Sequence, residues 1–258
     1  MTQGFHVEIA DGVAVLTIDR PKANAIDAAT SFAMSEAFVG FEHDPSVRVV
    51  IVTGAGERFF SAGWDLGAAA EGEAFDADYG VGGFGGFPEL PDRRTPVIAA
   101  VNGMAVGGGF EIAMAADLIV AAEHAQFFLP EAGIGILPDS GSVRLPRLLP
   151  PHIARELLLT GRRMGAAEAA HHGLVNGVVP AADLLPTAKA MAAAICASAP
   201  LSVAAILDIG RRTAEMDVLE AMTAIKSFDS YRAAVDSDDA QEGNRSFAEK
   251  RPPVWKGR

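Results

Sequence analysis

One stretch of the sequence places an acidic side chain directly behind a run of glycines. Pro96–Ala122 reads PVIAAVNGMAVGGGFEIAMAADLIVAA, in which Gly107, Gly108 and Gly109 precede Glu111. Glycines at a helix start let a ligand approach the free N–H groups closely, and the helix start attracts negative charge. Such amides can hold an oxygen atom on which negative charge develops. Glu111 is followed by apolar residues, so its carboxyl group must be paired, locally solvated or partly neutral.

The same stretch predicts the elements that would position these groups. Val97–Val101 is a short apolar run typical of a strand covered on both faces, and a helix over Phe110–Ala116 and a second buried strand follow. A strand–glycine–helix junction also occurs where elements simply pack tightly, so that interpretation stays open. A membrane span has the right length, but Asn102, Glu111 and Asp117 together with the glycine turn argue against it.

The composition limits the class of protein. With 258 residues, 50% of them hydrophobic and 21% charged, the chain is typical of a soluble globular protein with one domain or one domain and a small appendage. A net charge of −12 argues against a nucleic-acid-binding surface. The single Cys196 excludes a disulfide framework, and the six histidines show no metal-ligand grouping. The first ten residues lack the pattern of a secretory leader or transit peptide, so we expect a cytoplasmic location.

The N-terminal third predicts an antiparallel start followed by strand–helix–strand. Phe5–Ala10 and Val13–Arg20 alternate apolar and polar residues around Asp11-Gly12, a turn favoured in β-hairpins. Val47–Thr53 is rich in β-branched residues and predicts the next strand.

The rest of the chain continues the α/β alternation and then becomes helical. Asp27 can cap a helix that runs to about Glu42. Ala69–Leu90 is a long irregular segment rich in glycine and aromatic residues, which is usually a binding loop or disordered. Leu174–Val179 predicts a strand. The sequence therefore predicts an α/β core over 1–198 and a helical C-terminal region over 199–258, in which Trp255 is expected to be exposed.

Six motifs, in order along nearly the whole chain, resemble those of the crotonase (enoyl-CoA hydratase/isomerase) superfamily. They are RPKANA at Arg20–Ala25, FFSAGWDL at Phe59–Leu66, NGMAVGGGFEIAMAADLIVA at Asn102–Ala121, FFLPEAGIGILPDSG at Phe127–Gly141, TGRRMGAAEA at Thr160–Ala169 and FAEKR at Phe247–Arg251. Within the superfamily, the chain most resembles the branch that hydrates crotonobetainyl-CoA. The stretches that carry this closer similarity are RPKANAID, FFSAGWDL followed by AAAEGEA, LPDSG, LTGRRMGA and FAEKRPPVWKGR. The resemblance implies an α/β fold, a crotonase-like ββα spiral core with a C-terminal helical trimerisation region, assembled as a homotrimer or a dimer of trimers.

The resemblance also implies a catalytic set. Glu111 and Glu131, twenty residues apart as in the family, match its two catalytic acids, and the amides of Gly108 and Trp64 match its two donors to the thioester oxygen. Two acids favour reversible hydration of an enoyl-CoA thioester, here crotonobetainyl-CoA to carnitinyl-CoA. The alternatives are a general short-chain enoyl-CoA hydratase, a Δ3,Δ2-enoyl-CoA isomerase, and a crotonase-fold protein that associates with RNA. From the residues alone, Glu131 is equally a solvated loop acid.

A third implication concerns coenzyme A, the expected moiety of the substrate. The matching positions are Lys22, Ala23, Ala25, Ala62, Asp65 and Leu66 in this chain, and Phe247 and Lys250, which would reach the ligand of a neighbouring subunit. Without the resemblance, Lys22 is an ordinary solvated lysine and Phe247 an ordinary helix-packing residue. We expect an acyl-CoA partner, no cofactor beyond CoA, no metal ion, and neither nucleic acid nor a membrane as partner.

The implied acyl group carries a trimethylammonium cation. Aromatic faces and nearby acids bind such cations, which makes Trp64, Phe84, Phe87 and Asp139 candidates for its recognition. Aromatic residues in a glycine-rich loop also serve simply as a cover over a pocket, so both interpretations remain.

Overall fold

The computed structural model describes residues 4–258, which form two sheets and a set of surrounding helices. The strands are β1 Phe5–Ala10, β2 Val13–Ile18, β3 Val49–Gly54, β4 Phe59–Ser61, β5 Val97–Val101, β6 Met104–Val106, β7 Leu118–Ala122, β8 Gln126–Phe128, β9 Met164–Gly165 and β10 Gly177–Val179. The helices are α1 Ala28–His43, α2 Leu66–Ala70, α3 Gly108–Ala115, α4 Asp139–Leu148, α5 Pro151–Thr160, α6 Ala166–His171, α7 Leu184–Cys196, α8 Pro200–Arg212, α9 Val218–Ala224, α10 Asp229–Val235 and α11 Asp238–Glu249. Short 3-10 helices cover Glu131–Ile134, Ala181–Asp183 and Ile225–Ser227.

From β3 to β8, successive strands alternate between the two sheets. The larger sheet has the order β1-β2-β3-β5-β7-β10, and the smaller sheet has the order β4-β6-β8-β9. β3, β5 and β7 of the larger sheet are each followed by a strand of the smaller sheet, and a helix follows each of these pairs. Neighbours are parallel except β1 with β2 and β8 with β9. This is the α/β spiral of ββα turns that the resemblance implies.

The N-terminal hairpin forms as predicted. Asp11 and Gly12 have φ values of 52° and 81°, and Ala10 pairs with Val13 across the turn. β2 ends at Ile18, two residues before the predicted Arg20, because its neighbour β3 ends at Gly54, the residue that pairs with Ile18. The cap of α1 is confirmed as well, since the Asp27 carboxylate accepts a hydrogen bond from the Thr30 amide, worth about 1 kcal/mol.

The continuous apolar run of β5 is explained by burial on both faces. All five of its residues are fully buried. One face packs on α7 through Leu184 and Ala188, and the other packs on a core that contains Phe38 and Phe110. β10 covers only Gly177–Val179, so the predicted strand over Leu174–Val179 was too long.

The helices that follow α7 pack mainly on one another. α8 contacts α10, and α10 contacts α11. The predicted division at residue 198 falls in the turn between α7 and α8, and it stays a prediction. Trp255 is half-buried, so the expectation of an exposed ring was wrong. Its Nε1 donates a hydrogen bond to the Ala197 carbonyl at 2.7 Å, and its ring lies against Gly243. Within residues 4–258 no single helix is long and apolar enough to span a membrane. One pair of consecutive helices, bent by 104° at the break between them, meets the length and composition criteria only when the two are taken together.

Candidate active site

A cavity of about 270 Å³ lies where the start of α3 meets three loops. Its lining is mainly apolar and aromatic. The lining residues are Ala62, Trp64, Leu66, Phe75, Tyr79, Phe84, Val106, Gly107, Gly108, Glu111, Pro130, Glu131, Ile134, Ile136, Leu137 and Asp139. The cavity thus has three carboxyl groups and, among the described residues, no lysine or arginine in its wall. It brings together all four residues predicted to be catalytic.

The backbone before α3 adopts a conformation that favours glycine. Gly107 has φ +53° and ψ −127°, and its carbonyl accepts hydrogen bonds from the amides of Phe110 and Glu111 at 2.8 and 3.0 Å. A Cβ atom at this position would lie within 2.4 Å of Glu131 Oε1. The missing side chain therefore makes room for the carboxyl group of Glu131 against the main chain.

The main-chain amides of Trp64 and Gly108 lie at the cavity, and within residues 4–258 neither of the two donates to a protein oxygen. The two segments touch, since a Cβ added to Gly63 would lie 2.6 Å from Gly108 N. Two free amides beside one cavity are what stabilisation of an oxyanion requires, and the dipole of α3 adds to it.

Glu111 is nearly buried, with 8% of its surface exposed. Its Oε1 accepts a hydrogen bond from the Gly141 amide at 2.6 Å. Burial raises the pKa of Glu111 to about 7, and the negative charges of Asp139 and Glu131 add to the rise. A carboxyl group that titrates near neutrality can both accept and donate a proton under physiological conditions.

Glu131 reaches the same cavity from a different part of the chain. It begins the 3-10 helix after β8, and β8 pairs with β6, the strand before α3. Its Oε2 is buried and has no hydrogen-bond partner among the described residues. Burial raises the pKa of Glu131, and the charge of Asp139 raises it further. A buried carboxyl oxygen without a protein partner is available to a substrate or a water molecule.

Residues 71–94, which we call the aromatic loop, supply the other wall of the cavity. Phe75 and Tyr79 line it together with Phe84 and Trp64. The rings meet edge to face in two pairs, Trp64 with Phe75 at 5.5 Å and Tyr79 with Phe84 at 5.3 Å between centroids. Phe75 and Tyr79 were not among the residues predicted to bind the acyl group, although their position in a glycine-rich irregular segment was a usable signal.

One of the candidates for recognition of a cation is wrong. Phe87 is 2% exposed and does not line the cavity. Its ring packs against Phe38 at 4.7 Å, and the Arg93 guanidinium lies 5.8 Å from the ring centroid. Phe87 is a core residue because the aromatic loop turns back towards α1 between Phe84 and Phe87. Trp64, Phe84 and Asp139 do line the cavity.

Two of the predicted CoA positions, Ala62 and Leu66, line the cavity. The loop that contains Ala23 lies beside them, because the Ala62 amide donates to the Ala23 carbonyl at 3.0 Å. Lys22 is exposed on that loop with φ +70°, three residues before Ala25. The CoA role of these residues stays a prediction.

Three other predicted positions do not line this cavity. Asp65 caps α2 and pairs with Arg20 at 3.0 Å. Phe247 is 86% exposed on α11, and Lys250 ends that helix in the left-handed conformation. Their predicted contacts with CoA, in the case of the last two from a neighbouring subunit, stay predictions. Within residues 4–258 no group of three or more histidine, cysteine or acidic residues is arranged to hold a metal ion.

The family described as enoyl-CoA hydratase/isomerase matches residues 8–258. A carnitinyl-CoA dehydratase of Salmonella typhi is 57% identical over 261 residues, covering all of both chains. The same identity and coverage hold for a carnitinyl-CoA dehydratase of Salmonella agona.

Solved structures agree with the sequence comparison. An enoyl-CoA hydratase from Mycobacterium tuberculosis superposes with a TM-score of 0.91 at 38% identity, covering 99% of this chain and 100% of that one. An enoyl-CoA hydratase from Bacillus anthracis gives 0.89 at 32% identity with the same coverage.

Proposed function

The chain belongs to the enoyl-CoA hydratase/isomerase family, and we propose that it catalyses the reversible hydration of crotonobetainyl-CoA to carnitinyl-CoA. The observation that carries the proposal is the pair of buried carboxyl groups, Glu111 and Glu131, on one cavity with the free amides of Gly108 and Trp64. The names of relatives at 57% identity support the acyl group. The proposal needs no cofactor beyond the CoA moiety of the substrate, and no metal ion.

In hydration, a water oxygen forms a bond to the β-carbon of the enoyl thioester. One carboxylate of the pair accepts a proton from that water, and the π electrons move onto the thioester oxygen to give an enolate. The amides of Gly108 and Trp64 hold this oxygen, and loss of one such donor costs about 3–4 kcal/mol in other enzymes. The α-carbon then takes a proton from the other carboxyl group as the enolate collapses. Dehydration runs the same steps in reverse.

This reaction requires the carboxyl pair to hold one proton. Burial raises the pKa of both groups, that of Glu111 to about 7, so Glu111 is able to hold the proton near neutral pH. The negative charge of Asp139 acts on both groups, and the charge of Glu131 acts on Glu111. An isomerase needs a proton moved between two carbons of the substrate, whereas a second acid suits activation of water.

We also propose that CoA lies over the loop Lys22–Ala25 and the backbone around Ala62, and that the chain forms homotrimers or dimers of trimers. Large apolar side chains are exposed on the C-terminal helices, among them Leu219 at 78% and Phe247 at 86%. Burial of such residues between copies would stabilise an assembly. Sedimentation should then give three or six times the mass of one chain, and a monomer would contradict the assembly. The cytoplasmic location stays a prediction.

The substrate is tested by following the loss of conjugated-thioester absorbance with a panel of acyl-CoAs and identifying the products. We expect a higher kcat/KM for crotonobetainyl-CoA than for crotonyl-CoA, with carnitinyl-CoA as product. Equal efficiency on both would make the protein a general short-chain enoyl-CoA hydratase, and migration of the double bond without addition of water would make it an isomerase. Salt-dependent binding of RNA would favour the binding-protein alternative.

A further inference from the structure

The cavity contains one more acid than the hydration chemistry uses. Glu111 and Glu131 carry the proton transfers, whereas Asp139 has no part in them. Asp139 is exposed at the cavity and accepts a hydrogen bond from the Ser140 amide at 2.6 Å. It forms no salt bridge within the described part of the chain, and no basic residue there lines the cavity. The negative charge of Asp139 is therefore available to a ligand.

The aromatic residues of the cavity have already used their polar groups. Trp64 Nε1 donates to Glu73 Oε1 at 2.7 Å, and the Tyr79 hydroxyl donates to the Phe75 carbonyl at 2.8 Å. Phe84 has no polar group. These side chains consequently offer a ligand their ring faces and apolar edges, and the electron-rich face of an aromatic ring attracts a cation.

Acidic groups also concentrate around Tyr79. Burial, together with the negative charges of Glu73, Asp139 and Asp76, raises the pKa of Tyr79 to about 12. The same field that disfavours a phenolate favours a cation beside the ring. Rings and acid charge thus coincide at one side of the cavity.

We propose that Tyr79, Phe84 and Trp64, together with Asp139, form a subsite for the trimethylammonium group of the acyl chain. This inference rests on the proposed function. In such a substrate the nitrogen is two bonds from the β-carbon, about 2.5 Å away, so the subsite must border the carboxyl pair. Asp139 meets that condition, because it lines the same cavity as Glu111, Glu131 and Tyr79, and its negative charge acts on all three.

The test compares two saturated thioesters that the enzyme cannot hydrate. One is γ-trimethylammonio-butyryl-CoA, and the other is its neutral isostere, in which a tert-butyl group replaces the trimethylammonium group. Titration calorimetry gives the ratio of their Kd values. We expect the wild-type protein to bind the cation roughly tenfold more tightly, the range of a cation–π contact supported by a charge. Both ligands carry the same CoA, so changes in CoA binding cancel in the ratio.

The variants separate charge from ring. Asp139→Asn keeps the shape of the side chain and should reduce the ratio at least threefold, and Tyr79→Leu should reduce it similarly. Tyr79→Phe keeps the ring face and should retain the ratio. Asp78→Asn is the matched control. Asp78 lies on the aromatic loop and accepts a hydrogen bond from the Gly80 amide, but it does not line the cavity.

The outcomes distinguish the two proposals. If the wild-type protein prefers the cation and neither Asp139→Asn nor Tyr79→Leu lowers that preference, the subsite is wrong and the substrate stands. If the wild-type protein binds both thioesters equally, the assignment of a cationic substrate fails with it. Should Tyr79→Leu fail to fold by circular dichroism, the comparison of Asp139→Asn with Asp78→Asn decides the matter.

Discussion

The wall of the cavity that carries the carboxyl pair is held by main-chain geometry. We call this wall, formed by Gly107–Glu111 and Glu131, the acid wall. A Cβ at Gly107 would meet the carboxyl group of Glu131, and a Cβ at Gly109 would lie 2.2 Å from the Ser61 carbonyl oxygen. The pairing of β6 with β8 sets the arrangement in space of the two segments that carry these acids. Few positions of this wall accept a larger side chain.

The aromatic loop is held differently, by side chains that accept hydrogen bonds from its backbone or neighbours. Ser35 Oγ accepts from the Gly82 amide at 2.9 Å, and Ser31 Oγ accepts from the Gly85 amide at 3.0 Å. Glu73 bridges Trp64 and the first amide of α1. The segment is ordered and lines the cavity, whereas its role as a binding loop stays a prediction.

This difference indicates which wall of the cavity serves catalysis and which serves recognition of the substrate. Chemistry that depends on backbone amides and buried acids leaves little freedom for substitution, whereas a loop attached through single hydrogen bonds can change its side chains and keep its position. We therefore expect substitutions in the acid wall to abolish turnover, and substitutions in the aromatic loop to change affinity and selectivity.

The largest effect is expected from the carboxyl pair. Glu111→Gln and Glu131→Gln keep the size of the side chain but remove proton transfer, so each should lower kcat for hydration by about 10²–10⁴-fold. The matched control is Glu123→Gln, an exposed acid outside the cavity. Near wild-type hydration by either variant would contradict its assignment.

Bulk beside the free amides should have the next largest effect. In Gly108→Val, the new Cβ would lie 2.5 Å from the ring of Phe84, so the ring or the amide must move. We expect a loss in kcat of about 10²–10³-fold in a folded protein. Gly133→Val is the control, because no atom lies within 4 Å of a Cβ at that position. Retained turnover in the first variant would remove the oxyanion role of Gly108.

The buried acid of the acid wall should also lower the free energy of unfolding, by an amount that depends on pH. The pKa of Glu111 is raised from 4.5 to about 7, so between these values the unfolded chain loses a proton that the folded protein keeps. Stability must fall as pH rises through this window, by roughly 3 kcal/mol in total.

Glu111→Gln removes this ionisation. At about pH 8, we expect the variant to have a higher free energy of unfolding than the wild-type protein, by an amount on the order of 3 kcal/mol. At about pH 4, we expect the two proteins to have similar free energies of unfolding. Urea unfolding at both pH values measures the difference. A difference that is the same at both would show that the pKa of Glu111 is not raised.

The smallest effect is expected in the aromatic loop. Glu73→Gln leaves one acceptor oxygen for two donors, the Trp64 indole and the Ala28 amide, so we expect a loss of about 1 kcal/mol in stability. The loop should then hold the acyl group less firmly, with KM raised several-fold and kcat little changed. Glu71→Gln, an exposed acid on the same loop, is the control. A large fall in kcat would mean that the loop supports the chemistry directly.

Features governed by neighbouring residues could be read from the sequence. The Asp11-Gly12 hairpin turn and the cap of α1 by Asp27 depend on a few residues each, and both are confirmed. The strand, glycine turn and helix around Gly108 are confirmed for the same reason. A turn that needs positive φ, or a carboxylate next to free amides, leaves a local signature.

Local patterns in the sequence could not predict which residues of the aromatic loop line the cavity and which lie in the core. Phe84 lines the cavity and Phe87 lies in the core, although both are aromatic residues three positions apart. Helices and strands have a period from which the buried face can be read, whereas an irregular segment has none. The same holds for Phe75, Tyr79 and Trp255, whose surroundings come from distant parts of the chain.

By itself, the sequence determined the order of the elements, the glycine turn and the presence of an acid on its helix. Only the tertiary structure decided that Glu111 and Glu131 share a cavity with Asp139, because parallel pairing of β6 with β8 brings together segments far apart in the chain. The raised pKa of Glu111 belongs to that same level. Burial and the distance between charges are properties of the packed molecule, and no local pattern contains them.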